Sequence, residues 1–371
     1  MQRVSISHAA PGMVVARNIF GADGKLMLAE GMELTQNRIR LLERIGILSI
    51  YVRNPYFEDV VIPEVMREEV RVKAVAKVQQ VFRDFRITHQ LNADKLQNTA
   101  RQIVAEVLSN SKVMLHMTEI RTHDDYTFVH SVQVCAISVL IGTVMGYPNA
   151  KLMELALGAL LHDVGKMMIP QEILNKPGKL DPEEIDVIRL HPEKGFEFLR
   201  QRHPTLSLLA MHVAFQHHEK FDGSGYPRGL KKRDIHEYAR IVAIADVYDA
   251  LVSDRPYRAG MLPHEAYEIL MALVDNHLDG EILILFLRNL AVYPIGCVVE
   301  LNTGDYGVVI DVRSGLQWRP VLRLIADKQG KLYQGDVQFD LATHLTTAIS
   351  RVVPEDEIFA LGYRPVKQAG S

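Results

Sequence analysis

The sequence predicts a mainly α protein with a small mixed α/β module before the helical block and a small β module after it. Three observations carry this. Apolar residues recur at helical spacing from about residue 63 to residue 290, strand signals there are scarce, and the pattern changes to short alternating strands with Gly-containing turns over residues 291–345. A chain of 371 residues, 48% apolar and 23% charged, is long enough for two or three domains and at least one large core.

Residues 1–55 read as the mixed module. Val14–Ile19 and Lys25–Leu28 flank Gly21-Ala22-Asp23-Gly24, a hairpin-like turn. Thr35 is placed to cap a short helix ending near Ile45, with Gly46 as its stop and a strand at Leu48–Val52. His8 reads as an ordinary surface histidine. Residues 56–118 form a helical linker or hairpin. Val75, Val78, Phe82 and Phe85 make one stripe and Leu96, Ala100, Ile103 and Val107 another, with a joint near Thr88–Asp94. Such a hairpin covers the next domain; the sharper alternative is a segment, 63–118, that dimerises or docks a signalling protein.

Residues 119–290 hold most of the histidines. Val132, Cys135, Ala136 and Val139 repeat with helical period, as do Leu157, Leu160, Leu161 and Val164. Asp181-Pro182-Glu183-Glu184 marks a helix start with a capping box, and the apolar run Ile282–Leu287 reads as a buried helix. Past residue 290, Val298–Leu301, Val308–Val312, Val321–Ile325 and Val337–Phe339 are short strands of a small barrel or meander, and 346–371 reads as a weakly ordered tail.

A net charge of −3 provides no general attraction to polymeric nucleic acid or to an anionic membrane, so any basic site is local. Cys135 and Cys297 lie far apart, which argues against a disulfide framework and for a reducing, cytoplasmic setting. No apolar run reaches the roughly 20 residues of a bilayer span, and no signal-peptide core is present at the N-terminus.

Ligand chemistry is concentrated in the helical block at His130, His162-Asp163, His191, His217-His218 and Asp246. Five histidines and two carboxylates are too many for one tetrahedral centre and suit two first-row metals, with one carboxylate bridging. Two such ions clamp a phosphate and activate a shared water, which cleaves a phosphodiester without a covalent intermediate. Lys166 lies three residues beyond Asp163 on the same face, and a substrate phosphate would give a lysine so placed its anionic partner. His217 and His218 run into Glu219–Pro227, whose Asp-Gly-Ser-Gly-Tyr-Pro is a shaped loop and neither helix nor strand.

These segments resemble the HD-GYP family, bacterial cyclic di-GMP phosphodiesterases of the HD phosphohydrolase superfamily. The likeness rests on Tyr126–Ser131, His162-Asp163-Val164-Gly165-Lys166, His191-Pro192, His217–Pro227, and Ala245–Ala250 followed by Arg255-Pro256-Tyr257-Arg258, in one colinear order over about residues 119–290. The resemblance implies an all-helical HD-type metal-dependent hydrolase domain. It also implies His130, His162, Asp163, His191, His217, His218 and Asp246 as metal ligands, with Asp163 bridging. Asp163 and Lys166 would carry the chemistry. Lys166, Arg255 and Arg258 would meet substrate phosphates, Tyr226 would shape the substrate loop, and Asp249 would orient a ligand or touch substrate. Two divalent transition-metal ions are implied, iron or manganese before zinc or nickel, with a bridging hydroxide cutting cyclic di-GMP to pGpG and onward to GMP. Some family members carry a Glu one turn before the first ligand histidine that supports a third metal; here that place is Tyr126, so two metals are expected.

The remaining polar features have blander readings. Lys231-Lys232-Arg233 is a solvated face or an electrostatic guide for an anionic nucleotide. Glu219 and Asp222 either fix His218 and the loop or satisfy turn amides, and His212 points away from His217. Against the enzyme stand two other functions, a cyclic di-GMP receptor with little hydrolysis and a signalling scaffold. An HD hydrolase for another cyclic dinucleotide is a further alternative.

Overall fold

The computed structural model describes residues 1–21, 25–54, 59–110, 126–174, 176, 178–253 and 260–360, and the backbone alone at Tyr126. In the N-terminal module β1 (Gln2–Ser5) is followed by the short strands β2 (Ile19–Phe20) and β3 (Leu26–Leu28), α1 (Gln36–Arg44) and β4 (Ser49–Val52). β1 pairs antiparallel with β4, and β2 with β3. Thr35 caps α1 by accepting from Arg38 N, and Gly46 takes φ 76° after the helix, as expected. The expected strand over Val14–Ile19 is largely absent. Val14 and Val15 instead bridge singly to Glu33 and Val52, which leaves only Ile19 and Phe20 to pair with β3. Residues 22–24 of the expected turn lie outside the described residues.

α2 (Glu68–Thr88) and α3 (Ala93–Ser109) form the expected hairpin, and its apolar stripes face inward. Phe82 stacks on Phe128 with ring centroids 5.8 Å apart, and Phe85 meets Phe198 at 4.9 Å. The hairpin therefore shares one core with the helices that follow, and the boundary at residue 118 separates no two cores. The alternative reading of 63–118, a surface for a second copy or a signalling protein, would have to use other residues, because these stripes are buried in the intramolecular core.

α4 (Tyr126–Val144) runs through the middle of the block and is packed by α2, α3, α5 (Asn149–Leu161) and α10 (Glu237–Val252). Its stretch Thr127–Val144 is long and apolar enough to cross a membrane, yet 78% of it is buried inside this core. Between α5 and α10 come a 3-10 turn at Val164–Met168, α6 (Gln171–Leu174), α7 (Pro182–Arg189), α8 (His191–Arg202) and α9 (Leu208–Gln216). Asp181 opens α7 as expected, its amide donating to Glu184 Oε2 at 2.8 Å. α11 (Pro263–Ala272) and α12 (Gly280–Leu287) close the block, α12 being the helix expected from the Ile282–Leu287 run.

The C-terminal module is one antiparallel sheet in the order β8-β7-β6-β5-β9. β5 (Val298–Leu301), β6 (Tyr306–Asp311), β7 (Val321–Ala326) and β8 (Gln338–Asp340) form the expected meander. The expected loose tail is corrected over its described part. β9 (Ile349–Val352) pairs with β5 along the edge, and α13 (Glu355–Ala360) returns to the N-terminal module, where Glu355 Oε1 accepts from Ser5 N at 2.8 Å. Residues 361–371 lie outside the described residues. Tyr51, Val60 and Ile62 join the core of this sheet, so the N-terminal module and the C-terminal sheet pack together.

Candidate metal centre

Three of the expected ligands stand at helix C-termini, and that placement prepares them. The last carbonyls of a helix lack intrahelical partners. His162 follows α5 and donates from Nδ1 to Ala159 O at 2.7 Å. His191, one residue after the α7 cap begins, donates to Ile188 O at 2.8 Å, and His217 after α9 donates to Ala214 O at 3.0 Å. With the proton held on Nδ1, each ring presents the bare lone pair of Nε2, the form in which imidazole binds a cation.

His130 of α4 is prepared differently. Its Nδ1 donates to Asp249 Oδ2 at 2.6 Å, while Nε2 lies 3.1 Å from Asp246 Oδ1. Asp246 and Asp249 are three residues apart on α10, so one helix face presents both carboxylates to the same ring. Asp249 is fully buried and also accepts from Ser253 Oγ at 3.1 Å. Of the two roles expected of Asp249, this geometry is that of a residue orienting the His130 ring.

Asp163 is the meeting point. Its Oδ2 lies 3.3 Å from His162 Nε2 and 4.0 Å from His130 Nε2. Its Oδ1 lies 3.3 Å from His191 Nε2 and 3.7 Å from His217 Nε2. One group comprises Asp163, His191, His217 and His218, the other His130, His162 and Asp246, and within each the ligand atoms lie within 4.8 Å of one another. The structure thus brings together all the expected ligand side chains, with one carboxylate turning an oxygen to each group.

The donor set fits cations. His191 Nε2 and His217 Nε2 are 3.2 Å apart with both protons on the far side of the rings, so two lone pairs face each other. His162 Nε2 and Asp163 Oδ1 are buried with no hydrogen-bond partner among the described residues. Buried acceptors set lone pair to lone pair are costly until a positive charge lies between them. Protonation agrees. Burial brings His217 down to about 4 and holds His218 well below the ordinary histidine range, so both rings are neutral. Burial works against the charge on Asp163 and Asp246, but Lys166 and His162 hold the Asp163 carboxyl, and His130 the Asp246 carboxyl, below the usual range. His130 is the exception. Burial would lower it, yet the hydrogen bonds to Asp246 and Asp249 outweigh burial and bring it up to about 9.

That proton makes a prediction. Below about pH 9 metal-free His130 keeps the proton that a cation must displace, so affinity for a divalent metal rises with pH, by about tenfold per unit for one proton released, and levels off above that value. Titration calorimetry in buffers of different ionisation heat measures the released proton; metal affinity independent of pH between 6 and 8 contradicts it. A second prediction concerns Asp249, whose carboxylate holds the Nδ1 side of the His130 ring. Asp249→Asn is expected to lower metal affinity by about 10- to 100-fold, read from chelator competition.

Around the centre the substrate-side residues are partly visible. Lys166 Nζ lies 2.6 Å from Asp163 Oδ2, and its side chain is partly exposed. The Tyr226 ring stacks on His218 with centroids 4.8 Å apart, and the guanidinium of Arg189 lies 5.6 Å from the centre of that same ring. Tyr226 thus lies against a candidate ligand, and Arg189 beside it had no sequence signal beyond being basic at a helix end. The loop is folded back on its own histidines: a Cβ on Gly225 would lie 2.2 Å from Lys220 N and 2.5 Å from His218 O. Glu219 accepts from Arg228 N at 2.8 Å and Leu230 N at 3.0 Å, and Asp222 from Ser224 N at 2.8 Å, so both satisfy turn amides. His212 sits against Phe196 and Phe215, away from the ligands. Lys231, Lys232 and Arg233 line a separate open groove beside α12. Arg255 and Arg258 lie outside the described residues, as does the side chain of Tyr126.

Comparison with known proteins adds lineage to this geometry. The HD domain family model matches residues 102–282, and a model described as a KOW domain associated with HD domain matches 298–361. A cyclic di-GMP phosphodiesterase of Pseudomonas aeruginosa is 35% identical over 273 residues, covering 72% of this chain and 66% of that protein. A cyclic di-GMP phosphodiesterase of Thermotoga maritima is 37% identical over 183 residues, 49% of this chain and 48% of the relative. The 3'3'-cGAMP-specific phosphodiesterase 2 of Vibrio cholerae is 44% identical over 129 residues, 35% of this chain and 25% of the relative. The chain therefore spans less than two thirds of the length of each of these relatives.

Proposed function

The chain belongs to the HD domain family, in its HD-GYP branch, and from that premise we propose that it hydrolyses a phosphodiester bond of cyclic di-GMP to yield linear pGpG. The observation that carries the proposal is the pair of ligand groups sharing Asp163, one carboxylate oxygen toward each. In this reading His191, His217 and His218 hold one divalent ion, His130, His162 and Asp246 hold the other, and Asp163 belongs to both. Iron or manganese fits the nitrogen and oxygen donors, and zinc or nickel is the alternative.

Bound there, divalent ions supply Lewis acidity, lowering the pKa of water toward neutrality and drawing charge from a phosphoryl oxygen. The protein's own groups do the rest. Asp249 holds the His130 ring with Nε2 inward, and the carbonyls of Ala159, Ile188 and Ala214 hold the other rings. Lys166, 28% exposed beside Asp163, offers a mobile positive charge to a phosphate at the mouth of the site. Tyr226, backed by His218, gives the site a flat wall on which a purine can rest. A cytoplasmic setting is consistent with Cys135 and Cys297, both free thiols.

A second reading, hydrolysis of 3'3'-cGAMP, draws on the higher identity to the Vibrio cholerae enzyme over a shorter stretch. The deciding experiment strips the chain of metal, reloads it separately with Mn2+ and with reduced iron, and offers both cyclic dinucleotides. Cyclic di-GMP is expected to give pGpG only after reloading. Faster turnover of 3'3'-cGAMP selects the second reading. Nucleotide binding without product at full metal occupancy makes the protein a receptor.

A further inference from the structure

A cavity of about 180 Å³ lies where β1 and β4, the end of α10 and the C-terminal sheet meet, apart from the metal centre. Much of its wall is apolar and buried, including Tyr51, Ile62, Val298, Val353 and Ile358. Two polar atoms of lining residues are unsatisfied. Gln2 is 3% exposed, its Oε1 accepts from Asn54 Nδ2 at 2.6 Å, and its Nε2 has no partner among the described residues. His264, whose ring stacks on Tyr293 at 5.7 Å, leaves Nδ1 without a partner in the same way. A buried amide donor left unpaired is costly, and native structures rarely keep one without a use for it. Ordered water can meet both atoms but leaves the apolar wall wetted.

We propose that this cavity binds a small, mainly apolar molecule that presents a hydrogen-bond acceptor to the Gln2 amide. An apolar cavity of about 150 Å³ accommodates benzene, so the slightly larger one here suits a single ring with a small substituent that ends in a carbonyl or carboxylate. Its position gives it a route to the metal centre. Ser253 lines the cavity and donates to Asp249, which holds His130. Met261, also in the wall, is tied to α10 by Met261 N donating to Leu251 O at 3.0 Å. An occupant that shifts the end of α10 therefore shifts a ligand of the metal centre, and this coupling rests on the metal-centre reading, whereas binding itself does not.

The test uses the full chain with acetophenone and α-methylstyrene, which differ by a carbonyl in place of a methylene, in ligand-observed NMR. Both are expected to bind. The ratio of acetophenone to α-methylstyrene affinity is expected to fall by roughly three- to tenfold in Gln2→Leu, the worth of one hydrogen bond. Val353→Trp, which fills the cavity, is expected to abolish both; if that variant does not fold, the Gln2→Leu ratio decides alone. Absence of binding, or a ratio unchanged in Gln2→Leu, overturns the site. Saturating acetophenone is expected to change Mn2+ affinity by at least about fivefold. Acetophenone binding with unchanged Mn2+ affinity overturns the coupling and leaves the site standing. Acetophenone binding by a chain that takes up no Mn2+ counts against the metal-centre reading alone.

Discussion

Asp163→Asn is expected to reduce kcat for cyclic di-GMP by at least about a thousandfold, a loss of roughly 4 kcal/mol in transition-state stabilisation, and to lower bound metal from two ions toward one or none. The size follows from the residue's position. Each of its oxygens faces one group of candidate ligands, one toward His162 and His130 and the other toward His191 and His217. An amide of the same shape keeps one oxygen as an acceptor, but it loses the negative charge and turns N–H hydrogens toward one group. The same substitution removes the negative charge that lies 2.6 Å from the Lys166 ammonium. Metal analysis and product formation, measured on the same sample, check it. Wild-type metal content with wild-type turnover contradicts the bridging role.

Gly165→Ala is the second large effect, although glycine bears no ligand atom. A Cβ at this position would lie 1.8 Å from His191 O and 2.7 Å from His191 C, and both are backbone atoms that no rotamer change can move. The 3-10 turn carrying Lys166 and the start of α8 carrying His191 therefore approach each other because residue 165 is glycine. Forcing them apart pulls His191 from the group that includes His217 and His218. The variant is expected to lose at least about 3 kcal/mol of stability, in the range of severe steric substitutions, and to bind fewer than two metals. Thermal unfolding with and without Mn2+ measures both. A variant with the wild-type midpoint and two bound ions would mean that the backbone contact is dispensable.

How much of this was legible in the sequence depended on whether a feature is local. The candidate ligand set was legible because His162-Asp163, His191-Pro192 and His217–Pro227 follow one another as the motifs of the family the sequence resembles, and the structure brings those side chains together. The helical period over 63–290 predicted the hairpin and the central helices, since each buries a continuous stripe. What stayed hidden depends on distant partners. Ile349-Ser350-Arg351-Val352 is too short and too polar to signal a strand, and it becomes β9 because β5 has an open edge to pair with. Asp249 could equally have faced substrate; only the packing of α10 against α4 places it behind His130. The role of Gly165 was hidden for the same reason, because the atom it makes room for belongs to a residue on another helix.

The most direct test of the central claim is anomalous diffraction from crystals of the manganese- or iron-loaded chain. Two peaks are expected, one among His191, His217 and His218 and one among His130, His162 and Asp246, with the carboxylate of Asp163 between them. A single peak, a third peak, or metal bound away from Asp163 would contradict the account.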